Sequence, residues 1–135
     1  MTGTSTIRRF ASELPLPFSK VVQAGGFLFL SGQVAVRAPD GTPLPDIESQ
    51  TEAVLSAIAQ TLQQHGASLR DVVKATVWLA DLDEFPRFNR VYEQHFQGAL
   101  PARSTVRADL VNGARIEIEV QAFVTGEGGG ANTAP

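Results

Sequence analysis

Arg103, in Pro101-Ala102-Arg103-Ser104, and Glu117, in Ile116-Glu117-Ile118-Glu119, are the residues whose types could do chemistry on a small acid. Arginine is permanently charged and presents a flat fork that fits a carboxylate. A carboxylate side chain can take a proton from water and return it. If the strands that carry the two residues are neighbours, one group holds an acid while the other activates water beside it. The plainer alternative is a salt bridge between Arg103 and Glu117 on a sheet face, an arrangement that is common and weak where exposed.

Composition narrows the chemistry. The chain has 135 residues, enough for one domain with a core. Its 11 basic and 14 acidic side chains leave a net charge of −3, with no concentrated basic patch for nucleic acid. The absence of cysteine removes disulfides, thiolate metal sites and a cysteine nucleophile. Two histidines make a poor basis for a histidine-rich metal centre. Residues 1–10 lack the apolar stretch of a signal peptide. No apolar run approaches the ~18 residues expected of a membrane-spanning helix. A soluble, cytoplasmic protein is the expectation.

The elements that must position Arg103 and Glu117 follow from periodicity. Phe18 to Gln23 and Phe27 to Val36 read as strands joined by a turn at Ala24-Gly25-Gly26. After a Pro/Gly loop, Asp46 suits a helix N-cap. Ile47, Thr51, Val54, Leu55, Ile58, Leu62 and His65 then fall on one stripe, and Gly66 can close the helix. Ser68 to Ala80 is strand-like. Asp81 or Asp83 can cap a second helix, with Pro86 in its first turn and Phe85, Phe88, Tyr92 and Phe96 as its apolar stripe. Arg103 to Leu110 and Arg115 to Thr125 read as the last strands, with a turn at Asn112-Gly113. The expected order is β-β-α-β-α-β-β, an α+β two-layer domain spanning 1–125 with both helices on one face of a mixed sheet. Arg8 and Arg9 fall in an N-terminus expected to be loose, and 126–135 in a flexible Gly-rich tail.

Alternation assigns faces. Ile116, Ile118, Val120 and Ala122 point one way, and Glu117, Glu119, Gln121 and Phe123 the other. In the preceding strand Ser104, Val106, Ala108 and Leu110 read as the apolar side, opposite Arg103, Thr105, Arg107 and Asp109. Val72, Thr76, Trp78 and the Phe27-Leu28-Phe29-Leu30 run add apolar surface to the face without helices. A sheet apolar on both sides has a second cover, so a homo-oligomer is expected, with a ligand cleft between subunits.

Several segments together resemble the Rid family (reactive intermediate deaminases, also called YjgF/UK114). They are Ser31-Gly32-Gln33, Asp71-Val72-Val73-Lys74-Ala75-Thr76-Val77-Trp78-Leu79, Phe88-Asn89-Arg90-Val91-Tyr92, Pro101-Ala102-Arg103-Ser104 and Ile116-Glu117-Ile118-Glu119. The resemblance implies a chorismate-mutase-like α+β fold, a homotrimer with a site at each subunit interface, and no cofactor. It implies hydrolysis of 2-enamine and 2-imino acids, such as 2-aminoacrylate, to 2-keto acids and ammonia. On that resemblance Arg103 binds the substrate carboxylate and Glu117 handles water. Ser31 and Asn89 help bind substrate, and the backbone near Thr105 contacts it. Two positions depart from the family's commonest pattern. Phe18 stands where a pocket tyrosine is usual and loses its hydroxyl, and Thr105 replaces a frequent cysteine.

Each residue has a plainer role to set beside this. Ser31 can satisfy a backbone group, Asn89 can bridge elements, and Phe18 can be ordinary core. Glu119 and Arg107 read as structural or interface charges, His65 and His95 as structural residues near helix C-termini where a cation is favourable, and Trp78 and Tyr92 as packing. A non-catalytic trimer that binds a small metabolite in the same cleft is the alternative. Chorismate mutase chemistry, which needs several cations around a dicarboxylate, fits this residue set poorly.

Overall fold

The computed structural model describes residues 6–124; the expected tail at 126–135 lies outside them. The elements are β1 (Ile7–Ala11), β2 (Ser19–Ala24), β3 (Phe27–Leu30), α1 (Ile47–Gln64), β4 (Val72–Leu79), α2 (Phe85–His95), β5 (Ala102–Arg107) and β6 (Ile116–Phe123). They form one six-stranded mixed sheet in the order β1-β2-β3-β6-β4-β5. Both helices cover one face, giving the expected α+β two-layer architecture. Ile47, Val54, Leu55, Ile58 and Leu62 of α1 and Phe88 and Tyr92 of α2 form one buried cluster with Val21, Leu28, Ala75, Val77, Leu79, Ile116, Ile118 and Val120 of the sheet.

Local chemistry explains the helix ends. Asp46 Oδ1 accepts from the Ser49 N–H at 2.8 Å, closing a capping box at the start of α1. His65 ends the helix, and Gly66 follows at φ 78°, a conformation costly for a residue with a Cβ. Asp81 caps a 3₁₀ turn, Leu82–Glu84, that runs into α2, so the N-cap of α2 itself, Glu84, makes no side-chain cap bond. Pro86 sits in its first turn, where a missing N–H is harmless.

Several sequence expectations change. The strand read from Phe27 to Val36 ends at Leu30, and only Gln33 bridges back to the sheet beyond it. The N-terminus is not loose from Ile7 onward: β1 adds an edge strand antiparallel to β2, and Phe10 packs on the core. Arg8 and Arg9 obscured its alternation, yet charged residues suit an exposed edge. The last two strands are not neighbours. β5 pairs parallel with β4, and β6 pairs antiparallel with β4 on its other side. Parallel neighbours need a crossover, and α2 supplies it. Asn112 (φ 59°) and Gly113 (φ 68°) therefore turn a longer return path and not a hairpin. Finally, the two faces of β5 are reversed from the alternation reading. Arg103, Thr105 and Arg107 register with Ala75, Val77 and Leu79 on the helix side, while Val106 registers with Trp78 on the open face. The edge position left Val106 exposed and let an arginine take a helix-side place.

The open face is apolar, but less widely than expected: Val72, Leu28 and Leu30 turn to the helix side and join the core, because alternation sends only Phe27 and Phe29 of their run outward. Phe27, Phe29 and Phe123 are 40%, 42% and 46% exposed, and the Phe27 and Phe123 rings meet edge-on at 5.2 Å.

Candidate functional site: two half-sites on opposite faces

Registration across β5, β4 and β6 separates Arg103 from Glu117. Arg103 aligns with Ala75 and, across β4, with Val120, all on the helix face. Glu117 aligns with Trp78 and Val106 on the open face. The two side chains leave opposite faces of the sheet and a strand lies between them, so no salt bridge joins them within one copy.

Arg103 is held by α2. Its guanidinium carbon lies 5.5, 5.1 and 4.7 Å from the ring centroids of Phe85, Phe88 and Tyr92. These residues recur at helical spacing, so one stripe of α2 makes a three-ring cradle for the cation. Among the described residues Arg103 pairs with no carboxylate. Its fork opens on a shallow cavity with Asn89, Tyr92, Glu93, Leu100 and Pro101. The Tyr92 hydroxyl is buried with no hydrogen-bond partner among the described residues. Burial pushes its pKa up, and the Arg103 charge partly offsets this. The buried phenol oxygen lies against the Arg103 guanidinium and can accept from it, which helps to fix the fork. Sequence reasoning took Tyr92 for packing alone. Its place on the stripe was visible, but the helix-side position of Arg103 was not.

Glu117 belongs to a second, larger cavity of about 640 Å³, shared with Phe18, Ser31, Gly32, Gln33 and Asn112. Burial and the neighbouring charge of Glu119 push its pKa above the usual carboxylate value of 4.5. The backbone around Gly32 fixes its place. β3 and β6 pair in register from Phe27↔Phe123 to Phe29↔Gln121, whereas the next bridge is Gln33↔Ile118. The register therefore slips by one residue between Phe29 and Gln33, which is a β-bulge. Gln33 and Ile118 exchange both backbone hydrogen bonds, at 2.9 and 3.1 Å. The bulge lays Gly32 directly against Glu117: a Cβ there would overlap Oε2 and stand 3.0 Å from Cδ. Sequence reasoning quoted Gly32 within a motif but gave it no task, because a register slip is invisible without the partner strand.

The remaining sequence-derived residues divide between these places. Phe18 lines the Glu117 cavity. Ser31 does too, but its hydroxyl donates to the Ser19 carbonyl at 2.6 Å and so ties the ends of β2 and β3. Asn89 lies in the Arg103 cavity. Thr105 lines neither; its hydroxyl is buried without a partner among the described residues. His65 stacks edge-on against Phe10 at 4.5 Å, and burial with the nearby Lys20 and Arg8 charges pushes its pKa down. It therefore favours the neutral form and is not the helix-end cation expected. His95 meets Glu52 at 2.8 Å, a bond between the two helices. Among the described residues no cluster has the makings of a metal site, and no helix is long and apolar enough to cross a membrane.

Known proteins share this arrangement of chain. A Thermotoga maritima protein superposes with a TM-score of 0.80 at 37% identity, covering 88% of this chain and 99% of its own. A Yersinia pestis protein of the conserved Rid family does so with a TM-score of 0.77 at 35% identity, covering 86% and 94%. The 2-iminobutanoate/2-iminopropanoate deaminase of Mus musculus is 36% identical over 105 residues, 76% of this chain and 78% of the mouse protein. The family model described as endoribonuclease L-PSP matches residues 10–124. With a match that runs from the end of β1 at Phe10 to Val124, across the other five strands and both helices, this chain belongs to the endoribonuclease L-PSP family, the Rid (YjgF) proteins that its motifs resemble.

Proposed function

We propose that the protein hydrolyses 2-imino acids and their 2-enamine tautomers to 2-keto acids and ammonia, at a site that two copies build together. The observation that carries this reading is the uncommitted Arg103 fork in its aromatic cradle. A cation fixed in orientation and lacking a carboxylate of its own suits a carboxylate ligand. Glu117, with its raised pKa, suits the water-handling role. The two groups leave opposite faces of one sheet, so they meet only if the Arg103 half of one copy docks on the Glu117 half of another. The exposed phenylalanines of the open face favour such docking. A head-to-tail contact repeated around a closed ring completes every site, and we assign the homotrimer as that ring. The cytoplasm is its proposed location.

In this scheme Arg103 holds the carboxylate of the imino acid, with Asn89 and the Tyr92 hydroxyl beside it. Glu117 takes a proton from water, and the oxygen forms a bond to the imine carbon. The proton passes to nitrogen, the carbinolamine loses its C–N bond, and ammonia and the 2-keto acid leave. Atoms balance with one water consumed, and no cofactor is needed. The imine is already electrophilic, so positioning and general acid–base help, roughly 10²–10⁴-fold, suffice. The family description names RNA cleavage, but a net charge of −3 offers little to a phosphate backbone.

An amino-acid oxidase supplying imino acids in situ tests the reading. Arg103→Ala is expected to lower the enzymatic loss of imine by at least ~100-fold, the scale of a lost charge-assisted bidentate contact, with assembly unchanged by light scattering. Undiminished hydrolysis would remove Arg103 from the site. A second reading, a non-catalytic trimer that binds a keto acid, is favoured by one observation: Phe18 brings no hydroxyl to the Glu117 cavity. It predicts keto-acid binding by calorimetry without imine turnover.

A further inference from the structure

The loop between β1 and β2, Ser12–Phe18, reads Ser-Glu-Leu-Pro-Leu-Pro-Phe. The Leu16 N–H donates to the Leu14 carbonyl at 2.8 Å, and the Phe18 N–H to the Leu16 carbonyl at 2.8 Å. These are two successive three-residue turns, centred on Pro15 and Pro17. Proline holds φ near −65°, close to what the inverse γ-turn requires, so the sequence builds this conformation in. The strap is also tied at its base. The Leu14 N–H donates to Ser12 Oγ at 3.0 Å, Lys20 Nζ reaches Glu13 at 3.2 Å, and Ala11 pairs with Ser19.

Such a strap has a two-residue repeat, so Leu14, Leu16 and Phe18 project to one side and the prolines to the other. All three of those side chains line the Glu117 cavity, and Pro15 and Pro17 do not. Leu14, Leu16 and Phe18 are 57%, 55% and 44% exposed. Large apolar side chains left this open on a stiff, anchored segment stand ready for a ligand. Val34, Ala57 and Val111 continue the apolar lining, while Lys20, Gln60 and Gln64 supply a polar side. The cavity, about 640 Å³, is roughly the volume of twenty water molecules at about 30 Å³ each. That is far more than the short imino acids need.

We infer that the strap is the side-chain pocket of the site and that it selects 2-imino acids carrying bulky apolar side chains, of the size derived from leucine or phenylalanine. This rests on the deaminase reading and names its substrate class. With the carboxylate on Arg103 and the imine carbon at Glu117, the remaining group of the substrate is the one that meets Leu14, Leu16 and Phe18. A stiff apolar wall loses little freedom when it closes on such a group, and one methylene in an apolar pocket discriminates by about tenfold or more.

The test compares kcat/KM for imino acids generated by an L-amino-acid oxidase from alanine, leucine and phenylalanine. The leucine- and phenylalanine-derived imines are expected to exceed the alanine-derived one by at least about tenfold. Leu14→Ala combined with Leu16→Ala should collapse the leucine-to-alanine ratio toward one, while Leu16→Met, which keeps volume, should preserve it. The ratio does not depend on how much of a variant is folded. A wild-type ratio at or below one overturns the inference and leaves the deaminase reading standing, as does a ratio unmoved in the double variant. Failure to accelerate any imine takes both.

Discussion

Arg103 and Glu117 suit their proposed roles for different physical reasons. Arg103 is prepared by its neighbours: three aromatic faces neutralise none of its charge but restrict where its fork points. Glu117 is prepared by what it lacks, since burial and Glu119 both disfavour its ionised form. A carboxyl whose pKa is raised by folding binds its proton more tightly in the fold than in the unfolded chain. Stability is then fully present below the ordinary value of 4.5 and declines as pH rises through the raised value. Glu117→Gln should accordingly raise Tm at neutral pH, with the gain disappearing below about pH 4. Thermal melts of both proteins across pH check this, and a gain that persists in acid would contradict the assigned cause. The same variant should lose imine hydrolysis, so the residue is costly for the fold and useful for the reaction.

The elements hold these residues by devices of unequal visibility. The bulge between Phe29 and Gln33 presses Gly32 on Glu117, so any side chain there requires the carboxylate to move. Gly32→Ala is expected to displace the carboxylate and lower kcat by about tenfold or more, the order of effect that small misplacements have, with a smaller change in KM because Arg103 is untouched. Steady-state kinetics separate the two; an equal rise in KM with kcat preserved would assign Gly32 to binding. Most of the scaffold was legible beforehand. Asp46, Gly66, the α1 stripe and the alternation of β6 each express a local rule, and each stands where that rule put it. Arg103 and Glu117 stood out because arginine and glutamate in strands demand a reason. What stayed hidden is non-local. Nothing in residues 102–123 says that β4 lies between β5 and β6, and nothing in Ser104-Thr105-Val106 says which side of an edge strand faces the helices. Strand β1 was hidden because two adjacent arginines interrupt its pattern.

At the scale of the whole molecule, one copy carries Arg103 and Glu117 but keeps them on opposite faces of its sheet. Its apolar open face, its arginine on one side of the sheet and its glutamate on the other become intelligible together if copies join. Each proposed site takes Arg103 from one copy and Glu117 from the next. The most direct measurement unfolds Arg103→Ala and Glu117→Gln proteins, each inactive alone, refolds them together in equal amounts, and assays imine hydrolysis. Random assembly places an intact Arg103 beside an intact Glu117 in one contact of four, so the mixture should regain about a quarter of wild-type activity. A mixture no more active than its separate components, although mixed oligomers have formed, would contradict a site shared between subunits.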